Sequence, residues 1–477
     1  MSTQQMSSVD AAWLHMGRPT NLMVVNGLLQ LDGPVDIESA KEAIRERLVE
    51  RFPRFRQRVV EPALGMGLPT WVDDAEFDLD LHVHRVALPA PGDEATLRRF
   101  AGELVVVPLD PAKPLWEMHL VEGYGSRTVL ITRMHHCIAD GIALARVLLS
   151  LTDEDPGDGV LAPAQDEPRH AQKAGVGAAV HLVDGALHGG IELLTHPASE
   201  ARAVFDGATS NARALAKILL TGPDARTVLK DSPGVARRLT WCDPVPLEDV
   251  KAIGHASGTT VNDVVVSALT GALRHYLQHR GSPAEEIRAV IPFNLRPLDE
   301  PLPPELGNRF GLVDLPLPVA VVDPGARLAE VHRRMEEIKH SPEGPLSYQI
   351  LGLVGRTPPP LERRIIDLTS NAGTVVITNV PGPARTVYFT GVKVSALLAW
   401  VPTGGSIGIG VSIISYAGAL TVALQTAANL VADPEQLTGA FAREMRKLGR
   451  LRDGTPRRPP AGTKAKRRTG ERGVRES

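Results

Sequence analysis

The sequence predicts a mixed α/β protein, and three observations carry that reading. The 477 residues are 43% hydrophobic and 22% charged, ordinary globular values for a chain long enough to hold a large buried core. Helical and strand periodicities alternate through both halves. Between the halves, residues 153–168, DEDPGDGVLAPAQDEP, form an acidic stretch rich in Pro and Gly, the composition of a solvated connector.

In the first half, SAKEAIRERLVERFP sets Ala43, Ile44, Leu48 and Phe52 on one helical stripe, and Pro53 stops it. LDLHVHRVAL alternates as a strand, and TLRRFAGELVVVPLD reads as a helix ending near Pro108. WEMHLVEG and RTVLITRMHH are two strands about a Gly-containing turn, followed by the helix GIALARVLLSL. Val176, Val180, Val183, Leu187, Ile191 and Leu194 recur at helical spacing, so residues 171–222 predict helices that cross between the halves. Few Lys or Arg lie among them, which favours packing against protein over contact with an anionic membrane surface.

The second half repeats the alternation. TTVNDVVVSALTGALRHYLQHR and RLAEVHRRMEEIKH predict helices, and IRAVIPFNLRP a strand. Residues 394–432 carry no charged side chain, yet Pro402, Gly404, Gly405, Gly408 and Gly410 interrupt them. GIGVSIISYAGALTVAL therefore predicts two apolar strands joined at Tyr416–Gly418 rather than a membrane span. The expected organisation is an N-terminal lobe over 1–152, an acidic connector and helical crossover over 153–235, a C-terminal lobe over 236–451, and a basic disordered tail over 452–477.

That tail holds nine Lys/Arg against three Asp/Glu, so the formal charge of −3 divides into +6 there and −9 on residues 1–451. An acidic body with 4% aromatics argues against nucleic acid as a partner. Cys137 and Cys242 are too few for a disulfide framework and neither sits in a CxxC pair, which predicts a reducing, cytoplasmic setting. The N-terminus lacks the basic and long apolar regions of a secretory signal.

His135, His136, Cys137, Ile138, Ala139, Asp140 and Gly141 fit the pattern HHxxxDG at the end of a predicted strand and the start of a predicted helix. Histidine is suited to take a proton from a hydroxyl near neutral pH, and an element terminus holds it rigidly while facing a cleft. If a bound alcohol is deprotonated as it attacks an acyl carbonyl, one placed base suffices without a serine or cysteine nucleophile. Asp140, before a tight Gly turn, is expected to orient backbone or pair with an Arg. Cys137 reads as a packed small hydrophobe, since strand alternation points it away from His136. No metal is expected: adjacent histidines diverge and no third ligand is spaced nearby.

HHCIADG resembles the signature of the coenzyme A-dependent acyltransferase superfamily. Flanking stretches narrow the resemblance to the bacterial wax ester synthase/diacylglycerol acyltransferase family. They are SSVDAAWL, RFPRFRQRVV, EFDLDLHVHRVALPAPG, PLDPAKPLWEMHLVEG, TVNDVVVSALTGALRHYL, IPFNLRP, GNRFGLVDLPLP, TNVPGP and ISYAGAL, in family order over about residues 7–450. The resemblance implies two chloramphenicol acetyltransferase-like lobes with a substrate channel between them. It implies His136 as general base, with His135, Asp140 and Gly141 completing the motif and Asp140 structural, paired with an Arg such as Arg296. It implies acyl-CoA as co-substrate with no further cofactor, and diacylglycerol or a long-chain alcohol as acceptor. Peripheral contact with the inner face of the plasma membrane or with lipid droplets is compatible with it.

Asn262 and Asp263 match the family's Asn-Asp pair. Two readings stand side by side there: active-site support, or a helix N-terminus with Thr260 or Asn262 as cap and Asp263 complementing the dipole. Trp116 is expected in the core. Asn379, Pro381 and Gly382 read as a turn, with a channel-lining role for Asn379 as the alternative, and Ser415 and Tyr416 as turn and packing residues. Lys230 stands where the family usually has Asn, and TAANLVADPEQL lacks an aspartate the family often has nearby. Two other functions remain open at this point: a related acyltransferase using a carrier-bound donor or a polyketide alcohol, and a catalytically silent lipid-binding protein.

Overall fold

The computed structural model describes residues 3–63, 67–156, 221–297, 300–357, 362, 365 and 371–452. The crossover helices expected within 171–222 and the basic tail lie almost wholly outside these residues. The first half supplies β1 (Thr3–Gln5), α1 (Ser8–His15), β2 (Val24–Leu31), α2 (Ile37–Ile44), β3 (Gln57–Val60), β4 (Thr70–Asp73), β5 (Val83–Ala87), α3 (Glu94–Leu104), β6 (Trp116–Tyr124), β7 (Arg127–His135) and α4 (Gly141–Leu149). The second supplies β8 (Arg237–Trp241), β9 (Val245–Pro246), α5 (Leu247–Ser257), α6 (Val261–His279), β10 (Ile287–Asn294), β11 (Phe310–Leu317), α7 (Pro324–Lys339) and α8 (Glu343–Val354). It closes with β12 (Val375–Pro381), β13 (Tyr388–Phe389), β14 (Val392–Trp400), β15 (Ile409–Tyr416), β16 (Ala419–Ala427) and α9 (Glu435–Arg452).

The periodicities convert into elements with few adjustments. Asp36 caps α2, which runs on into a π turn over Arg45–Val49, and Pro53 opens a separate 3-10 turn. The strand expected over Leu79–Leu88 begins late, because Asp78 caps a 3-10 turn at Leu79–Leu81. β6 and β7 form the expected antiparallel pair, and β7 is buried from Thr128 onward, which accounts for its unbroken apolar run. β15 and β16 pair antiparallel through the turn at Ala417 and Gly418, both at positive φ. Among the described residues no helix is long and apolar enough to cross a membrane.

Two large sheets organise the molecule. The first runs β13-β14-β2-β7-β6-β5 and the second β11-β10-β12-β15-β16-β8, with β9 beside β16; β1-β4-β3 form a small third sheet. Trp71, Trp116, Phe55 and Phe389 fill the core beside the first, and Trp116 donates its indole N–H to the Phe55 carbonyl at 2.8 Å. α6, buried along most of its length, anchors the core beside the second with Phe441 and Leu448 of α9. Each such fully buried side chain contributes about 1.5–3 kcal/mol.

The strands do not divide at the expected lobe boundary. β13 and β14 come from the second half yet complete the first sheet, with β14 antiparallel to β2 from Val394↔Leu31 to Trp400↔Asn26. The expected turn at Asn379–Pro381 is also corrected: both residues lie in β12, which runs parallel to β15. Pro381 is tolerated there as the strand's last residue. Gly382 follows at a close approach, where a Cβ would stand 2.5 Å from the Ser415 carbonyl oxygen.

Candidate active site

The end of β7 brings His136 to a cavity at the junction of the two halves. His136 N–H donates to the Met23 carbonyl at 2.7 Å and His135 N–H to the Leu115 carbonyl at 3.0 Å, which locks the strand end between β2 and β6. One wall of the cavity is Trp13 of α1 and Met16 just after it, with His136; β11 and β12 face it through Phe310, Leu312, Val376 and Val380. α8 adds Ile350, Leu351 and Val354, so the lining is mostly apolar with few polar groups.

The two imidazoles are placed differently. His136 stacks on Trp13 at 4.4 Å between ring centroids and 16° between planes, with Phe310 at 5.5 Å. Its Nδ1 lies 3.0 Å from Asn308 Oδ1, and burial holds its pKa below the usual histidine value, so the ring is neutral at pH 7. His135 does not line the cavity. Its Nδ1 accepts from Cys137 N–H at 3.2 Å, and burial brings its pKa to about 3. Cys137 is fully buried and its thiol pKa is pushed up, the state of an inert packed residue.

Asp140 is the N-cap of α4: Oδ1 accepts from Ala143 N–H at 2.8 Å and Oδ2 from Arg309 N–H at 3.1 Å. The Arg296 guanidinium stands 3.8 Å from Oδ2 and donates to the Gly307 carbonyl at 3.1 Å, so the expected partner is present. Gly141 is not the tight turn expected from the sequence. It is the first residue of α4 and lines the cavity, and a Cβ there would meet open space.

The Asn262–Asp263 pair separates by role. Thr260 and Asp263 form a capping box at the start of α6, and the buried Asp263 accepts from His332 Nδ1 at 2.8 Å without lining the cavity. Asn262 Oδ1 accepts from Asn379 Nδ2 at 3.3 Å, and Asn379 does line it. Tyr416 packs as expected, its hydroxyl accepting from Val387 N–H and donating to the Val394 carbonyl. Lys230, partly buried, donates to the Gly373 carbonyl, and burial lowers its pKa to about 8. Among the described residues no group of three His, Cys, Asp or Glu is placed to hold a metal ion.

Four residues at the site carried no role in the sequence reading: Asp10, Trp13, Asn308 and Phe310. Asn308 Nδ2 donates to the His136 carbonyl and to Asp10 Oδ1, both at 2.7 Å, and Asn308 N–H donates to the same oxygen at 2.9 Å. Burial raises the Asp10 pKa, against the pull of the Ser7 and Asn308 donors. The signals available were the Ser7-x-x-Asp10 spacing, which reads as a helix cap, and the GNRF stretch.

Comparison with known proteins agrees with this geometry. The sequence matches the wax ester synthase/diacylglycerol acyltransferase catalytic domain over residues 6–265 and the WS/DGAT C-terminal domain over residues 306–449. A probable diacylglycerol O-acyltransferase of Mycobacterium tuberculosis is 30% identical over 87% of this chain and 89% of its own length. A second, putative one from that organism is 28% identical over 95% of this chain and 91% of its own. Among solved structures, the wax ester synthase/diacylglycerol acyltransferase from Marinobacter aquaeolei VT8 has a TM-score of 0.67 at 23% identity, covering 94% of this chain and all of that one. The first condensation domain of the calcium-dependent antibiotic synthetase has a TM-score of 0.60 at 16% identity, over 95% and 97%. At these identities the structural likenesses establish a shared two-lobed fold. With domain matches covering most of the sequence and an HHxxxDG histidine on the wall of an apolar cavity, the chain belongs to the wax ester synthase/diacylglycerol acyltransferase family and is an acyltransferase.

Proposed function

We propose that the protein transfers a long-chain acyl group from acyl-CoA to the hydroxyl of diacylglycerol, or of a long-chain alcohol, with His136 as general base. The observation that carries this reading is a buried imidazole, neutral at pH 7, on the wall of a mostly apolar cavity with its Nδ1 already engaged by Asn308. Nε2 then takes the hydroxyl proton as the oxygen attacks the thioester carbonyl. The tetrahedral adduct collapses with cleavage of the C–S bond, and the imidazolium returns the proton to the departing sulfur, leaving ester and free CoA. A placed base of this kind is worth about 10²–10⁴-fold.

Diacylglycerol is the acceptor named in the mycobacterial relatives, and apolar walls suit both it and the acyl chain. The test is thiol release from palmitoyl-CoA by the purified protein, with a diacylglycerol and with hexadecanol, beside His136→Ala. Acceptor-dependent release lost in the variant supports the reading and ranks the acceptors. Absence of release from a folded protein that binds palmitoyl-CoA overturns it.

A further inference from the structure

We infer that Asp10 and Asn308 are positioning residues for His136, and that together they dictate which imidazole nitrogen carries the proton. The inference rests on the proposal that His136 is the base. Asn308 Nδ2 stands 2.7 Å from both Asp10 Oδ1 and the His136 carbonyl oxygen, two groups that only accept. A flipped amide would set oxygen against oxygen at both places, so one orientation of Asn308 survives. Its Oδ1 then faces Nδ1 at 3.0 Å and can only accept, which puts the proton on Nδ1 and the lone pair on Nε2.

Asp10 does two jobs with two oxygens. Oδ2 accepts from the Ser7 hydroxyl at 2.6 Å in the cap of α1, while Oδ1 takes both Asn308 donors. The backbone that presents Asn308 is bent for the purpose: Leu306 and Gly307 lie at φ 57° and 91°, and Gly307 N–H bonds the Ile138 carbonyl inside the HHxxxDG loop. A left-handed leucine costs about 1–2 kcal/mol and persists where neighbours over-determine it. When His136 becomes an imidazolium, Oδ1 of Asn308 keeps accepting from Nδ1. The interposed amide also keeps the Asp10 carboxylate from taking that proton.

The charged and titratable groups around the ring are His135 beside it, Asp140 with Arg296 behind, and Asp10 one amide away, with Arg54 and Tyr348 acting on Asp10 through space. Trp13 stacks on the ring and Phe310 lies tilted beside it, and neither adds a charge.

Kinetics and histidine NMR together test the inference. In the wild-type protein with ¹⁵N-labelled histidine, the resonance absent from His136→Ala is expected to show the Nδ1–H tautomer; the Nε2–H tautomer overturns the inference whatever the variants do. Asn308→Leu is expected to lower kcat for thiol release by about 10²–10⁴-fold with KM held, the range for losing a base or fixing its wrong tautomer. Asp10→Ala is expected to lower it by at least about tenfold, and Asp10→Asn, whose amide oxygen still accepts, to recover most of that loss. Ser7→Ala removes the cap and the bond to Asp10 Oδ2 but leaves both Asn308 donors on Oδ1, so it lowers Tm without a matching fall in kcat. Equal kcat losses in Ser7→Ala and Asp10→Ala, or a change confined to KM, reduce Asp10 to a helix cap and overturn the inference. If His136→Ala itself keeps full activity, the base assignment has failed; if His136→Ala is inactive while Asn308→Leu and Asp10→Ala match wild type, only the positioning role has failed.

Discussion

His135 and His136 are neighbours in sequence, both buried at the end of β7, yet they hold their protons in opposite ways. His135 Nδ1 accepts from the Cys137 backbone N–H, so its proton sits on Nε2. His136 Nδ1 faces the Asn308 carbonyl oxygen, so its proton sits on Nδ1 and its lone pair on Nε2. Burial lowers both pKa values and leaves both rings neutral at pH 7. What separates a proposed base from a structural residue here is therefore the partner across the ring and access to the cavity, since protonation state and burial are shared.

The widest separation between them is expected in turnover. His136→Ala should lower kcat for acyl transfer by about 10²–10⁴-fold. His135→Asn, whose Oδ1 can still accept from Cys137 N–H, should keep kcat within about tenfold while losing the packing of the rest of the ring. Thiol release by the two variants under one set of conditions measures the difference. Comparable losses in both would dissolve the distinction and return His135 to the reacting groups.

Next in size is the support beneath the pair. Asp140 caps α4, accepts from Arg309 N–H and faces Arg296, all in a buried setting. Asp140→Ala leaves the Arg296 charge without its carboxylate, which should cost about 3 kcal/mol of stability in urea unfolding. Asp140→Asn keeps an oxygen for the cap and should cost less than the alanine variant by about 1 kcal/mol. Equal costs would mean that charge, and not the cap, is what α4 needs.

The fold and the motif were legible in the sequence to different depths. Periodicity placed β6, β7, α4, α6 and α7 because each buries one face or both and writes that into residue spacing. It could not assign β14 to the first sheet: VKVSALLAW alternates, but alternation names no partner strand, and β2 lies more than 360 residues earlier. Asn379, Pro381 and Gly382 read as a turn in sequence because Pro and Gly punctuate most turns, whereas here Pro381 ends a parallel strand. HHxxxDG was legible as a compact pattern, and Arg296 was reachable only through the family resemblance, which implies an Arg partner for Asp140. Asp10 and Asn308 were not, because each is ordinary alone and their contact spans 298 residues.

Acid titration sharpens the comparison further. Both histidines have folded pKa values below the unfolded value near 6.5. Each therefore stabilises nothing at pH 7 but destabilises as pH falls below 6.5, where the unfolded chain binds a proton that the folded chain refuses. For His135, with a folded value of about 3, that window runs from 6.5 down to about 3. His135→Asn should remove one such proton, making urea stability less sensitive to acid by about 2 kcal/mol between pH 7 and pH 5. An unchanged slope would mean that His135 titrates normally. The same logic applies to rate: with His136 as the proposed base, which acts only when neutral, kcat/KM should stay level from pH 8 to 6.5 and fall only below. A falling limb above pH 6.5 would contradict the lowered pKa.

The smallest effect is expected at another capped helix, α6. It repeats part of the device of α4, a buried aspartate at a helix start facing a nitrogen side chain, with the His332 imidazole in the place of the Arg296 guanidinium. The partners differ in burial: His332 is about one-third exposed, whereas Arg296 is almost fully buried. Water screens the first pair and compensates its loss, so His332→Ala should cost no more than about 1 kcal/mol. Asp263 keeps its capping box with Thr260 in that variant and does not line the cavity, so kcat should stay at the wild-type value. A tenfold fall in kcat with the fold intact would show that the start of α6 reaches the reaction through Asn262 and Asn379, whose side chains touch at the cavity wall. That result would give the second half of the chain a reacting-side role beyond presenting Asn308, and it is the outcome that would most reduce the contrast between the two helix starts.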